Sequence, residues 1–90
     1  MIKPVSIKTL KPYKIQVKFN DGIEGIVDLS HLKDGEAFRC WQTPGIFEKA
    51  YIEGEAIAWN DNLDIDALTL YLQITGQTFA DFVAKQKSHA

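Results

Sequence analysis

Oxygen-bearing side chains recur through one stretch of this sequence, at Asn60, Asp61, Asn62, Asp64 and Asp66, which is how a calcium loop supplies its ligands. Counted from Asn60, such a loop needs glycine where Ile65 stands, for the sharp turn, and a bidentate glutamate where Tyr71 stands. The metal reading fails at both places, and the run reads instead as a solvated loop whose Asp64 or Asp66 caps a following helix. Cys40 with His31 or His89 brings a thiol and an imidazole, but no cationic neighbourhood or third orienting group accompanies them. Cys40 beside Trp41 is expected to be a buried structural residue, His31 a surface residue, and His89 part of a loosely held tail. No nucleophile, base and orienting group can be assembled, so the expected protein is not an enzyme and uses no cofactor or metal.

Binding chemistry is better represented. Trp41, Trp59, Tyr51 and Tyr71 are suited to anchor a partner, because aromatics dominate interface energetics, and in a chain of 90 residues they are also the material of the core. Trp59 is the ambiguous one, since it sits where a strand opens into the polar loop. Lys3, Lys8, Lys11, Lys14 and Lys18 occur in residues 1–19 without an acid, so the remainder of a chain of net charge -2 is strongly acidic. Lys14, Lys18, Trp59, Asp61 and Asn62 are therefore the candidate partner-binding residues, with the two lysines steering an acidic partner. The competing reading is a solvated sheet face whose lysines discourage edge pairing.

Residues 68–87 also admit a helix-turn-helix with its turn around Gly76 and its last helix in a groove, where Gln77, Thr78, Lys85 and Lys87 would contact DNA. That helix opens on Phe79, Asp81 and Phe82 and offers no arginine or asparagine for base edges. The low net charge also argues against generic attraction to nucleic acid or to an anionic membrane.

The elements that must position these groups follow from periodicity. Tyr13, Ile15, Val17 and Phe19 alternate with Lys14, Gln16 and Lys18, the period of a half-buried strand. Asn20-Asp21-Gly22 suits a tight turn, and residues 23–29 read as the returning strand of a hairpin. Upstream, Val5, Ile7 and Leu10 form a shorter strand closed by Pro12, which completes a meander. Phe38, Cys40 and Trp41 form an irregular plug, and Thr43-Pro44 predicts a helix cap before a brief helix over 45–49 that turns Ile46 and Phe47 inward. Gly54 joins two further strands, 51–53 and 55–59, into a second hairpin that extends or covers the first sheet. A helix carrying Leu68, Leu70, Tyr71, Leu72 and Ile74 ends at Gly76. Thr78 and Asp81 then form a capping box for a final helix whose inner face is Phe79, Phe82 and Val83.

The expected class is thus α+β: a small antiparallel sheet built from the meander and the second hairpin, packed with two C-terminal helices and a short middle helix. A hydrophobic fraction of 46% and a charged fraction of 24% suit an ordinary globular domain, and the length suits one domain over 1–90 with a modest core that a homodimer would extend. A single cysteine, an opening without the apolar core of a secretory signal, and no run of about 18 apolar residues point to the cytoplasm.

The pattern of Tyr13, Phe19, Asp21-Gly22, Gly25, Val27-Asp28-Leu29, Phe38, Phe47, Trp59, Asp64 and Leu70-Tyr71 resembles the bacterial family catalogued as domain of unknown function 2442. The resemblance covers about residues 3–72 and divides the chain into a family-like core, 1–72, and a helical extension, 73–90. It implies a small α+β protein without a catalytic motif. Members are often encoded beside another small protein, which implies a binding module, the antitoxin-like member of a two-gene pair. Some relatives continue into a C-terminal helix-turn-helix, of which residues 73–90 would be a shortened form. The sequence departs from the family's usual loop at Asn60-Asp61-Asn62 and at Ile65, where proline is common.

Overall fold

A computed structural model describes residues 1–60 and 62–87 of the chain. Strands β1 (Pro4–Leu10), β2 (Lys14–Phe19) and β3 (Glu24–Asp28) form one antiparallel meander. Its core face carries the predicted alternation: Ile15 and Val17 are fully buried and Phe19 nearly so. The turn is fixed by local chemistry. Gly22 takes φ 93, a left-handed value that glycine adopts without strain, while Asp21 Oδ1 accepts the Ile23 N–H at 3.0 Å. β1 departs from the expected alternation, because a bulge between Pro4 and Ser6 throws Val5 out to 55% exposure and leaves Ile7 facing the core.

Three short 3-10 segments come next, Ser30–Leu32, Glu36–Gln42 and Phe47–Lys49. The predicted helix over 45–49 shrinks to the last of these and Thr43 does not cap it, since Gly45 takes φ 87 and breaks the chain before any helix starts. The segments still deliver Trp41 and Phe47 to the core, each 2% exposed.

The second hairpin gains a third strand. β4 (Tyr51–Glu53), β5 (Ala56–Asn60) and β6 (Leu63–Asp66) make a separate antiparallel sheet, so the hairpin covers the first sheet instead of extending it, and the expected polar loop gives way to a strand from Leu63 onward. β6 uses the residues expected to cap the helix. Asp64 lies within the strand, and Asp66, at the cap position of helix α1 (Ala67–Thr75), makes no side-chain cap bond. The first helical N–H is satisfied elsewhere: Ala67 donates to the Glu55 carbonyl at 2.8 Å. Gly76 closes α1 in the left-handed conformation at φ 71, and helix α2 (Phe79–Lys87) succeeds it. Its capping box forms as expected, with Asp81 N–H donating to Thr78 Oγ1 at 3.0 Å and Thr78 N–H to Asp81 Oδ2 at 3.1 Å. Phe79 does not join the inner face of α2. It is 61% exposed, whereas Phe82 packs edge-on to Tyr71.

One core serves both sheets. Ile15, Val17 and Phe19 from the first meet Ile57 and Trp59 from the second, with Trp41, Phe47, Leu70 and Tyr71 among them. Helix α1 approaches β3 closely at Gly25, where a Cβ would stand 2.5 Å from Ile74 Cγ2. Residue 72, the expected end of the family-like core, lies inside α1, and the break in the chain's helical course falls at Gly76.

Candidate functional site

The clearest candidate surface is the outer face of the first sheet, and the hairpin register builds it. In β2 and β3 Lys14 stands opposite Asp28, Gln16 opposite Ile26, and Lys18 opposite Glu24; β1 adds Ser6, Lys8 and Leu10 on the same face. Each residue is placed there by the alternation that sends its neighbours inward. Lys18, Glu24 and Asp28 are exposed, Lys14 and Gln16 half-buried, and Ile26 keeps 58% of its surface in water at the centre of β3. Opposite charges in directly facing positions attract across the ladder. The Asp28 carboxyl is held below the usual carboxylate range chiefly by hydrogen bonds from Ser30, whose N–H lies 2.9 Å from Oδ1, with smaller attraction from Lys14 and His31.

The lysines expected to steer an acidic partner are thus set against acids of their own chain. Lys14 and Lys18 do share one face, as predicted, but together with those acids they present a pattern of alternating sign and not a basic patch. Ile26 and the two acids carry no signal of their own in the sequence; the three-residue connection over 20–22 is what pairs 18 with 24, 16 with 26 and 14 with 28.

Trp59 does not belong to any surface. It is 6% exposed, packs at 4.8 Å centroid separation from Trp41, and donates its indole N–H to the Phe47 carbonyl at 2.9 Å. A large aromatic with its polar atom satisfied inside a core cannot anchor a partner without unpacking. Asn62 is exposed, far from the lysine face in sequence, and its N–H is taken by Asn60 Oδ1 at 2.8 Å. Asp61 and His89 lie outside the described residues.

The DNA-contacting candidates are spread from the end of α1 to the end of α2. Gln77 is half-buried and its N–H donates to the Leu72 carbonyl, closing α1. Thr78 is spent on the capping box. Lys85 is exposed on α2 within the field of Asp81, and Lys87 is the last residue of that helix. The acid at the head of α2 is held in its charged form, because bonds from the Thr78 backbone and side chain lower the Asp81 pKa.

A concavity of about 350 Å³ opens between the β1–β2 connection and the 3-10 segments, walled by Pro12, Tyr13, Trp41, Pro44 and Phe47. Tyr13 takes φ 55 there, a left-handed conformation uncommon for a residue with a side chain. Cys40, the remaining reactive candidate, is half-buried beside these aromatics.

Two three-stranded sheets over a shared aromatic core, with one sheet face left to solvent, define a small α+β domain that offers a flat face and open concavities. Residues 4–76 match the family described as Protein of unknown function (DUF2442), and the chain belongs to that family. The match ends where α1 does, and α2 lies beyond it. No curated protein and no solved structure matches the chain. Among the described residues no helix is long and apolar enough to cross a membrane.

Proposed function

We propose that this chain is a non-catalytic protein-binding module whose contact surface is the outer face of the first sheet. The observation that supports this most is Ile26, an aliphatic side chain 58% exposed at the centre of an ordered strand and framed by Glu24, Asp28, Lys14 and Lys18. A face with an apolar centre and a polar rim is how protein interfaces are composed. The partner we favour is a small protein encoded beside this one, the chain acting as the antitoxin-like member of a pair in the bacterial cytoplasm. Tagged wild type and the I26D variant, used to capture material from the native host, test the reading. One stoichiometric small protein on wild type, lost with I26D at unchanged melting temperature, supports it; equal capture by both sinks this face as the surface.

The alternative, a DNA-binding regulator, draws support from the helix–turn–helix order of α1, Gly76 and α2. Binding to duplex DNA that weakens steeply with salt and vanishes on removal of residues 77–90 would bring it forward.

A further inference from the structure

The register arranges the outer face of the first sheet in rows: Ser6, Lys18 and Glu24; then Lys8, Gln16 and Ile26; then Leu10, Lys14 and Asp28. Along the strands, β2 is a column of base, amide and base, and β3 a column of acid, isoleucine and acid. Adjacent columns of opposite sign are self-complementary under one particular symmetry. A two-fold axis in the plane of contact, parallel to the strands and midway between β2 and β3, keeps every row and exchanges the two columns. It sets Lys14 of one copy on Asp28 of the other, Lys18 on Glu24, and Ile26 on the stem of Gln16. Axes along β2, along β3 or across the strands fail, because each stacks lysine on lysine or acid on acid.

We infer that this chain forms a face-to-face homodimer through the outer face of its first sheet, Lys14 and Lys18 of each copy meeting Asp28 and Glu24 of the other. The inference rests on the reading of this face as a protein-contact surface and names a second copy as its occupant in the protein by itself, a copy that the small partner has to displace. Each end row becomes a square of four alternating charges, since Lys14 and Lys18 each already face an acid of their own chain. Between those squares Ile26 leaves water. The strands of the two copies run nearly parallel, which aligned sheet packing at about 10 Å tolerates. Two columns and their flanks are a small area, at the low end of the range for specific contacts, so the dimer is weak and forms on concentration.

Sedimentation of the full chain at rising concentration tests this, with two double variants. Wild type moves from the mass of one chain towards two, and returns to one in about 1 M salt, where the Debye length is about 3 Å. K14E/K18E leaves the two columns acidic and E24K/D28K leaves them basic, so each stays monomeric alone. Mixed in equal amounts, they pair with each other, a result two misfolded chains cannot produce. Wild type that remains monomeric throughout, or variants that self-associate as wild type does, overturns the dimer. Monomeric wild type that still captures a small host protein, with capture lost in K14E/K18E, overturns the dimer and leaves the binding-module reading standing.

Discussion

A methyl group at position 25 has nowhere to go. The Cβ it would add lies 2.5 Å from Ile74 Cγ2 and 3.1 Å from Cγ1, and a β-branched side chain on a helix has one strongly preferred rotamer and cannot swing aside cheaply. Gly25→Ala is expected to cost about 1–3 kcal/mol by overpacking, seen as a lower urea midpoint, and shortening Ile74 to alanine in the same chain should recover part of the loss. Tyr71 is the second tie between the same elements. Its hydroxyl donates to Asp21 Oδ2 at 2.6 Å, so α1 is bolted to the turn of the first hairpin, and that bond, more than burial, raises the phenol above its ordinary pKa of 10.0. A raised folded-state pKa contributes stability that is complete below about pH 10 and lost as pH rises through the folded value. Tyr71→Phe should therefore lower stability by about 1 kcal/mol at neutral pH and flatten the alkaline limb of the stability curve. Gly25, Asp21 and Tyr71 stand out in the sequence as a pattern; that they form one joint depends on a contact fifty residues apart in the chain, which periodicity does not carry.

At the scale of elements, the legible parts are those with local causes. The alternation of residues 13–19 and the Asp21-Gly22 turn identify β2 and β3, and Thr78 with Asp81 identifies the start of α2. β6 is hidden because a four-residue strand with Asp64 and Asp66 on its solvent side looks like a polar loop until β5 supplies its ladder. The same ladder explains why neither aspartate caps α1. Loss of the capping box at α2 is expected to stay local: Asp81→Ala should reduce helical circular dichroism while near-ultraviolet signals of the core persist. Because Asp81 and Asp28 are held below 3.8 in the fold, the stability they contribute is present above about pH 4 and lost as pH falls through their folded values. The Asp81→Ala chain should show a correspondingly smaller acid-induced loss of helix.

The whole molecule measures 47 × 23 × 22 Å, with a radius of gyration of 13.7 Å against about 12 Å for a compact chain of this length. It is elongated, yet its two sheets do not have separate interiors. Trp41 and Trp59 pack at 4.8 Å, and Trp59 is pinned to the Phe47 carbonyl. Tryptophan fluorescence and far-ultraviolet circular dichroism are expected to give coincident urea transitions, and two separated transitions would show that the sheets unfold independently. Trp59→Phe, which keeps a ring and loses the buried hydrogen bond, should lower that single midpoint without splitting it. Composition and length indicate one domain, but two sheets in place of one cannot be read from them, since the choice is made by side chains that meet only when both are present.

Gly76 turns the chain out of α1 after both ladders are closed, and the match to the family model stops at that residue. In genetic terms it is a seam. Coding sequence cut and rejoined behind it leaves both ladders whole, and what a replacement segment has to bring back is an apolar group in the place of Phe82 against Tyr71.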